Sequence, residues 1–345
     1  LYSLAPIIAN DLLKNKNTLS SIYMLGLLTP LVFLSGIIKG YLFGVNKIKI
    51  SSISQVSEEI GRIVFLLIFF NYISSLNSAN ASMFAIIGLI VAEVVQILTQ
   101  IIGNYKTFDR NYNNFIIKMK DKSNYIIKDV LSLSIPISSN RFITTFTYFL
   151  EPIILTSILT KLGYSSSYIV YEYGLLESYA IPIIFLPGFF AAALSTFLLP
   201  NLTSLISKRR YKKGKNLFLL VSFLSLIIGL FSASICYLIP EFLLDLLYKN
   251  IEAKNYVKIL SLPFIVYYVE APISTAMYAL SLEKQSLIIC IISSIIRILS
   301  LFILIPKYNV LATAYSTLIE IIIVVGLDLF FIFKFFKNNI RTSII

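Results

Sequence analysis

Long apolar runs separated by short polar stretches dominate this chain. A membrane-crossing helix needs roughly 20 mostly apolar residues. Nine segments meet that requirement, near 18–38, 53–76, 81–103, 129–159, 172–201, 216–239, 256–280, 285–306 and 309–333. The pattern predicts an all-α, polytopic membrane protein with about nine transmembrane helices.

Lysine and arginine accumulate on the cytoplasmic side of membrane proteins. If the first span runs from outside to inside, nineteen of the 29 Lys and Arg residues fall in cytoplasmic loops and seven outside. Arg62, Arg141 and Arg297 remain within helices. The alternation supports both the span count and the orientation. The largest cytoplasmic groups are Lys106–Lys128 and Lys208–Lys215. The stretch 104–128 is the longest polar segment and is expected to be a cytoplasmic connector. It divides the chain into residues 1–103 and 129–345.

Composition agrees. Hydrophobic residues make up 57% of the 345 and charged residues only 13%; the latter is about half the usual share in a soluble domain. Mean hydropathy is +0.85. A soluble fold of this size could not hide so much apolar surface. The net charge of +12 then implies attraction to anionic phospholipids rather than to nucleic acid. Cys236 and Cys290 lie in apolar runs and read as small buried hydrophobes. Histidine is absent, which removes His-based catalytic triads and His metal sites. No phosphate-cradling glycine loop, metal-ligand cluster or nucleophile elbow is present. Neither cofactor nor metal nor catalytic residue is expected. The chain opens on Leu1, and residues 1–10 read as the end of a longer apolar segment, so a missing N-terminal part is expected.

Charge inside a bilayer costs about 2.5–3.5 kcal/mol or more at the helix centre, so each intramembrane charge needs a reason. Ser134, Ser138, Arg141, Thr145 and Tyr148 follow 4, 3, 4, 3 spacing, which places them on one helix face. Glu151 follows at the next step. Arg141 and Glu151 are separated by about 15 Å along the axis, too far to pair within the helix. Arg141 is therefore a candidate phosphate ligand, because guanidinium binds such oxygens in bidentate fashion. A salt bridge to another helix is the alternative. In the next segment Glu177 precedes Pro182, Pro187 and Gly188. Proline in mid-span removes a backbone hydrogen bond, so these three are candidate hinge positions. Glu270 belongs to a similar stripe with Tyr267, Ser274 and Tyr278. Glu151, Glu177 and Glu270 are candidate cavity or ion-coupling acids. Glu58 and Arg62 stand four apart in the favourable order and are expected to form a structural pair. Interhelical pairing is expected for Glu93, Arg297 and Glu320. Tyr41 to Arg62 and Tyr278 to Arg297 share an aromatic, a lysine turn and a helix carrying arginine, which suggests an internal repeat.

These residues carry a family resemblance. KGYLFGVNKIKISSISQVSEEIGRIVF (39–65) resembles the fourth-to-fifth helix region of the stage V sporulation protein B and polysaccharide exporter family. SIPISSNRFITTFTYFLEPIIL (134–155) is similar to its seventh helix, and LPGFFAAALSTFLLPNLTSLISKRR (186–210) to the end of its eighth. The larger superfamily includes MurJ-type lipid II flippases and multidrug and toxin extruders (MATE). The resemblance implies two helical lobes with alternating access, the N-terminal one incomplete here. It implies that 1–103 holds the end of the third helix and the fourth to sixth, and that 129–345 holds the seventh to twelfth. It also implies a monomer in the bacterial inner membrane that moves a lipid-linked oligosaccharide, such as a peptidoglycan or spore-cortex precursor, by potential or by Na+ or H+ coupling. Arg141, Ser138, Thr145 and Tyr148 would bind the pyrophosphate. The competing readings are a MATE-type drug/cation antiporter and a membrane-embedded glycosyltransferase. The latter would need a large outer loop, and the expected outer loops are short.

Overall fold

The computed structural model describes residues 2, 5–9, 18–44 and 47–342, with side chains inside helices omitted at 43–44, 48, 74, 78–79, 105–129, 133 and 341–342. Among the described residues the chain is helical and contains no strand. In order the helices are α1 (Ala5–Ile7), α2 (Leu19–Gly44), α3 (Ile48–Ile68), α4 (Phe70–Ser74), α5 (Ser78–Lys161), α6 (Ser166–Gly174), a π-helical turn (Leu175–Ala180), α7 (Ile181–Phe185) and α8 (Gly188–Ser207). Then come α9 (Tyr211–Leu238), α10 (Pro240–Tyr248), α11 (Lys254–Ser261), α12 (Ile265–Ala279), α13 (Glu283–Tyr308) and α14 (Leu311–Thr342). The expected connector falls inside α5, and its side chains from residue 105 onward lie outside the described residues.

Six described helical stretches are individually long and apolar enough to cross a membrane, and α11 with α12 makes a seventh if this pair, bent by 56°, is one span. Two expected spans fall outside that count. The 53–76 segment is divided between α3 and α4, and α3 carries Lys49, Glu58, Glu59 and Arg62. The 309–333 segment lies in α14, a helix of 32 residues that carries Glu320 and Asp328. The 172–201 segment is broken into α6, the π turn, α7 and α8, so that only α8 reaches spanning length. Pro182 and Pro187 supply the breaks, since neither has an N–H to donate to a carbonyl four residues back.

The chain divides into two compact units, residues Leu1–Ile126 and Ile127–Ile345. In the first, α2 and α3 pack near the start of α5. Gly61, Gly88 and Gly103 permit close approach: a Cβ on Gly103 would lie 2.8 Å from Ile50 Cγ2. Few apolar side chains are fully covered there, among them Ile22, Leu42 and Ala92.

The second unit has two apolar clusters. Leu155, Leu159, Leu176, Leu260, Phe264, Leu301 and Ile305 form one. Leu198, Leu202, Phe218, Ile273, Met277, Ile289 and Phe336 form the other. Along α13 the order is Ile289, then Ser293, Ser294 and Arg297, then Leu301 and Ile305. A polar layer therefore lies between two apolar ends, and α5, α12 and α14 contribute to the same layer.

Candidate functional site

The polar layer of the second unit holds two linked features, a buried ion network and a cavity. Arg297 is fully buried. Its Nη2 donates to Glu151 Oε2 and its Nη1 to Glu320 Oε2, the latter at 2.8 Å. Ser294 Oγ donates to the other oxygen of Glu320 at 3.4 Å. The Tyr148 ring covers the guanidinium, 3.9 Å from ring centroid to Cζ. Such a network must be almost completely paired, because an isolated buried charge would not stay ionised. Only Nε of Arg297 lacks a partner among the described residues.

Beside it is a cavity of about 360 Å³ whose walls include Asn140, Arg141, Thr144, Thr145 and Tyr148 from α5, Glu270, Ser274 and Tyr278 from α12, and Ser286, Ser293 and Glu320 from α13 and α14. Asn140 Nδ2 donates to Tyr278 Oη and Ser286 Oγ, both at 3.2 Å. Arg141 is exposed and makes no ion pair among the described residues. Glu270 is likewise without an ion pair there. Phe185 and Tyr267 stack at 4.0 Å between centroids and close another wall.

The sequence stripe thus divides. Arg141, Thr145 and Tyr148 line the cavity. Ser138 is exposed and is not among the lining residues; Asn140 and Thr144, on the other flank of the stripe, line the cavity instead. Glu151 is buried and bound to Arg297 rather than facing the cavity. The interhelical pairing expected of Arg297 and Glu320 is present, and Glu151, expected as a cavity acid, is the second carboxylate in it. Glu177 is half-buried on the π turn and is also outside the lining. Pro182, Pro187 and Gly188 do fall at the helix break. There Tyr268 Oη donates to the Ile184 carbonyl, and a Cβ on Gly188 would lie 2.9 Å from Tyr267 Cε1.

The Glu58–Arg62 expectation needs correction. Arg62 bonds Glu59, while Glu58 accepts from Gln96 Nε2 at 2.5 Å. Both carboxylates lie within one turn of the guanidinium, and Glu58 is drawn away by an amide on α5. Glu93 accepts from Ser35 rather than pairing with a cation.

One functional candidate escaped sequence reading. Asp328 is 1% exposed, and neither carboxylate oxygen has a hydrogen-bond partner among the described residues. Its signal was the spacing: Asp328 follows Glu320 by eight residues, about two turns, so both share a face of α14. Among the described residues no group of three or more Asp, Glu, Cys or His side chains could hold a metal ion.

Comparison with known proteins fits this arrangement. The polysaccharide biosynthesis protein family matches residues 1–206, and the chain belongs to that family. Stage V sporulation protein B of Bacillus subtilis (strain 168) is 22% identical over 323 residues, which cover 93% of this chain and 62% of that protein. Capsular polysaccharide biosynthesis protein CapF of Staphylococcus aureus is 23% identical over 277 residues, covering 80% of this chain and 65% of the relative. This chain therefore spans less than two thirds of the length of those relatives. In fold it is similar to the crystal structure of a MATE mutant, with a TM-score of 0.69 and 13% identity over 99% of this chain and 78% of the other. Family, fold and apolar helices together make it a multi-pass protein of the bacterial cell membrane.

Proposed function

We propose that this chain forms part of a flippase that moves an undecaprenyl-pyrophosphate-linked glycan precursor across the membrane by alternating access. Residues 1–103 would belong to the N-terminal lobe, 104–128 to a cytoplasmic connector and 129–345 to the C-terminal lobe. A sugar headgroup cannot enter hydrocarbon unaided, because its hydrogen bonds with water would go unreplaced. A polar cavity replaces them. The observation that carries the reading is Arg141, a cation without an ion pair among the described residues, set in a cavity walled by amide and hydroxyl groups. Such a guanidinium can take two phosphate oxygens at once. Outward movement of a pyrophosphate is favoured by an inside-negative membrane, by about 2.3 kcal/mol per charge per 100 mV.

Coupling to Na+ or H+ is assigned to Glu270, which faces the cavity without a counter-ion, and to Asp328 behind it. Glu151 is less suited to that task, because Arg297 already occupies it. The same two acids favour the second reading, a cation antiporter.

The test is protein-dependent transfer of a fluorescent undecaprenyl-pyrophosphoryl saccharide in vesicles. Arg141→Ala should slow transfer by roughly 10- to 100-fold, the worth of a charge-assisted contact, with thermal stability unchanged. Transfer at the parental rate in that variant would remove Arg141 from the mechanism. Glu270→Gln should abolish dependence on an ion gradient while leaving saccharide binding intact. If it instead abolishes cation efflux and the saccharide is never moved, the antiporter reading stands.

A further inference from the structure

Away from the polar cavity, α9 carries a second pair of adjoining hollows. One is an apolar groove of about 650 Å³ between the α7–α8 break and α9, with Ile183, Pro187, Phe190, Ile227, Phe231 and Leu247 in its walls. The other, about 590 Å³, lies at the end of α9 and contains Tyr237, Ile239, Glu241, Lys254 and Lys258. Their lining residues adjoin in sequence where α9 passes into α10. Phe231 and Ile235 line the groove, Ile239 lines the basic hollow, and Leu243 lines the groove again. The basic hollow is roofed by α10 and α11, two short helices with apolar inner faces: Leu244, Val257 and Leu260 are fully buried, and Lys254 and Lys258 point away from them. This is how helices lie at a membrane surface.

We propose that these two hollows bind one anionic phospholipid, its phosphate held by Lys254 and Lys258 and one acyl chain laid in the groove. Charge complementarity selects the headgroup. Lys258 sits over the Tyr237 ring at 5.3 Å and has no ion pair among the described residues. Lys254 reaches Glu241 at 2.8 Å, with the two side chains 43% and 59% exposed. Exposed pairs of this kind contribute little, so a phosphate can take Lys254 from Glu241. Aromatic and lysine side chains at the end of a spanning helix are those that meet headgroups. The groove lies along α9, a helix long and apolar enough to cross a membrane, where a chain attached to that headgroup would lie. It also borders Pro187, so a bound chain would rest against the break between α7 and α8.

The purified chain would be released for native mass spectrometry from micelles holding equal amounts of phosphatidylglycerol, phosphatidylethanolamine and undecaprenyl phosphate. Phosphatidylglycerol adducts should dominate. The double variant Lys254→Gln/Lys258→Gln should lose them by roughly tenfold. Both lysines are exposed, so folding should be untouched, as an unchanged melting temperature would verify. Ile227→Trp fills the groove and should lower retention with both lysines present; Leu247→Trp on α10 is the second variant if the first does not fold. Equal retention of the zwitterionic lipid, or undiminished phosphatidylglycerol in the double variant, overturns the proposal. Preferential retention of undecaprenyl phosphate overturns the choice of occupant.

Discussion

The two compact units solve the problem of cohesion in lipid differently. The first is held by a seam rich in amide and hydroxyl groups, where the charged side chains bond neutral partners. Ser57 meets Thr99 at 2.9 Å, Gln100 reaches Ser54 at 3.4 Å, and Lys47 donates to Asn104 at 2.9 Å. Among the described residues, its acids with interhelical hydrogen bonds, Glu58 and Glu93, take them from uncharged side chains. The second unit instead concentrates full charge at Arg297, Glu151 and Glu320 and seals it between apolar clusters. Apolar contact gives little drive to helix association when the surroundings are apolar too. Many weak polar contacts can each be lost cheaply. One fully charged node cannot.

That contrast can be broken in a graded way. Arg297→Met should be the most damaging substitution, costing about 3–5 kcal/mol because two buried carboxylates lose their counter-charge; unfolding in detergent would measure it. Adding Glu151→Gln and Glu320→Gln to that variant should recover most of the loss. A triple variant as unstable as the single one would mean that the network matters for shape rather than charge. Next comes Gly188→Ala, where a Cβ would meet Tyr267 at 2.9 Å. Overpacking there should cost about 1–3 kcal/mol, and relief by Tyr267→Leu would tie the cost to that contact. In the first unit, Glu93→Ala should cost about 0.6–1.7 kcal/mol, the range for polar contacts between membrane helices. Smallest is Gln100→Leu, expected to change stability by less than about 1 kcal/mol, since Gln100 Oε1 already lacks a partner among the described residues. If Glu93→Ala proved as costly as Arg297→Met, the distinction between the units would fail.

Much of this was readable before any coordinates. Apolar run length located the helices, because a bilayer imposes one length on all of them. The α5 stripe showed that Arg141, Thr145 and Tyr148 share a face, since helical spacing is a local property. What spacing could not give was the partner across the bundle. Glu151 and Arg297 are 146 residues apart, and no periodicity links them. The choice of Glu59 over Glu58 by Arg62 depends on Gln96, another helix altogether. Asp328 went unread: its register with Glu320 shows a shared face without showing that the face is dry. The π turn was less accessible still: two prolines announce a break but not the hydrogen-bond pattern that bridges it.

Tyr148 stands at the boundary of both features, with one face against the Arg297 guanidinium and its edge in the cavity wall. That ring therefore stands, together with Glu320, between a wettable chamber and a dry electrostatic knot. Any occupant bulky enough to swing that ring aside would admit water to the knot and loosen the grip of α13 on α5 and α14. Headgroup size in the chamber and rigidity of the helices around it are thereby joined through one side-chain torsion.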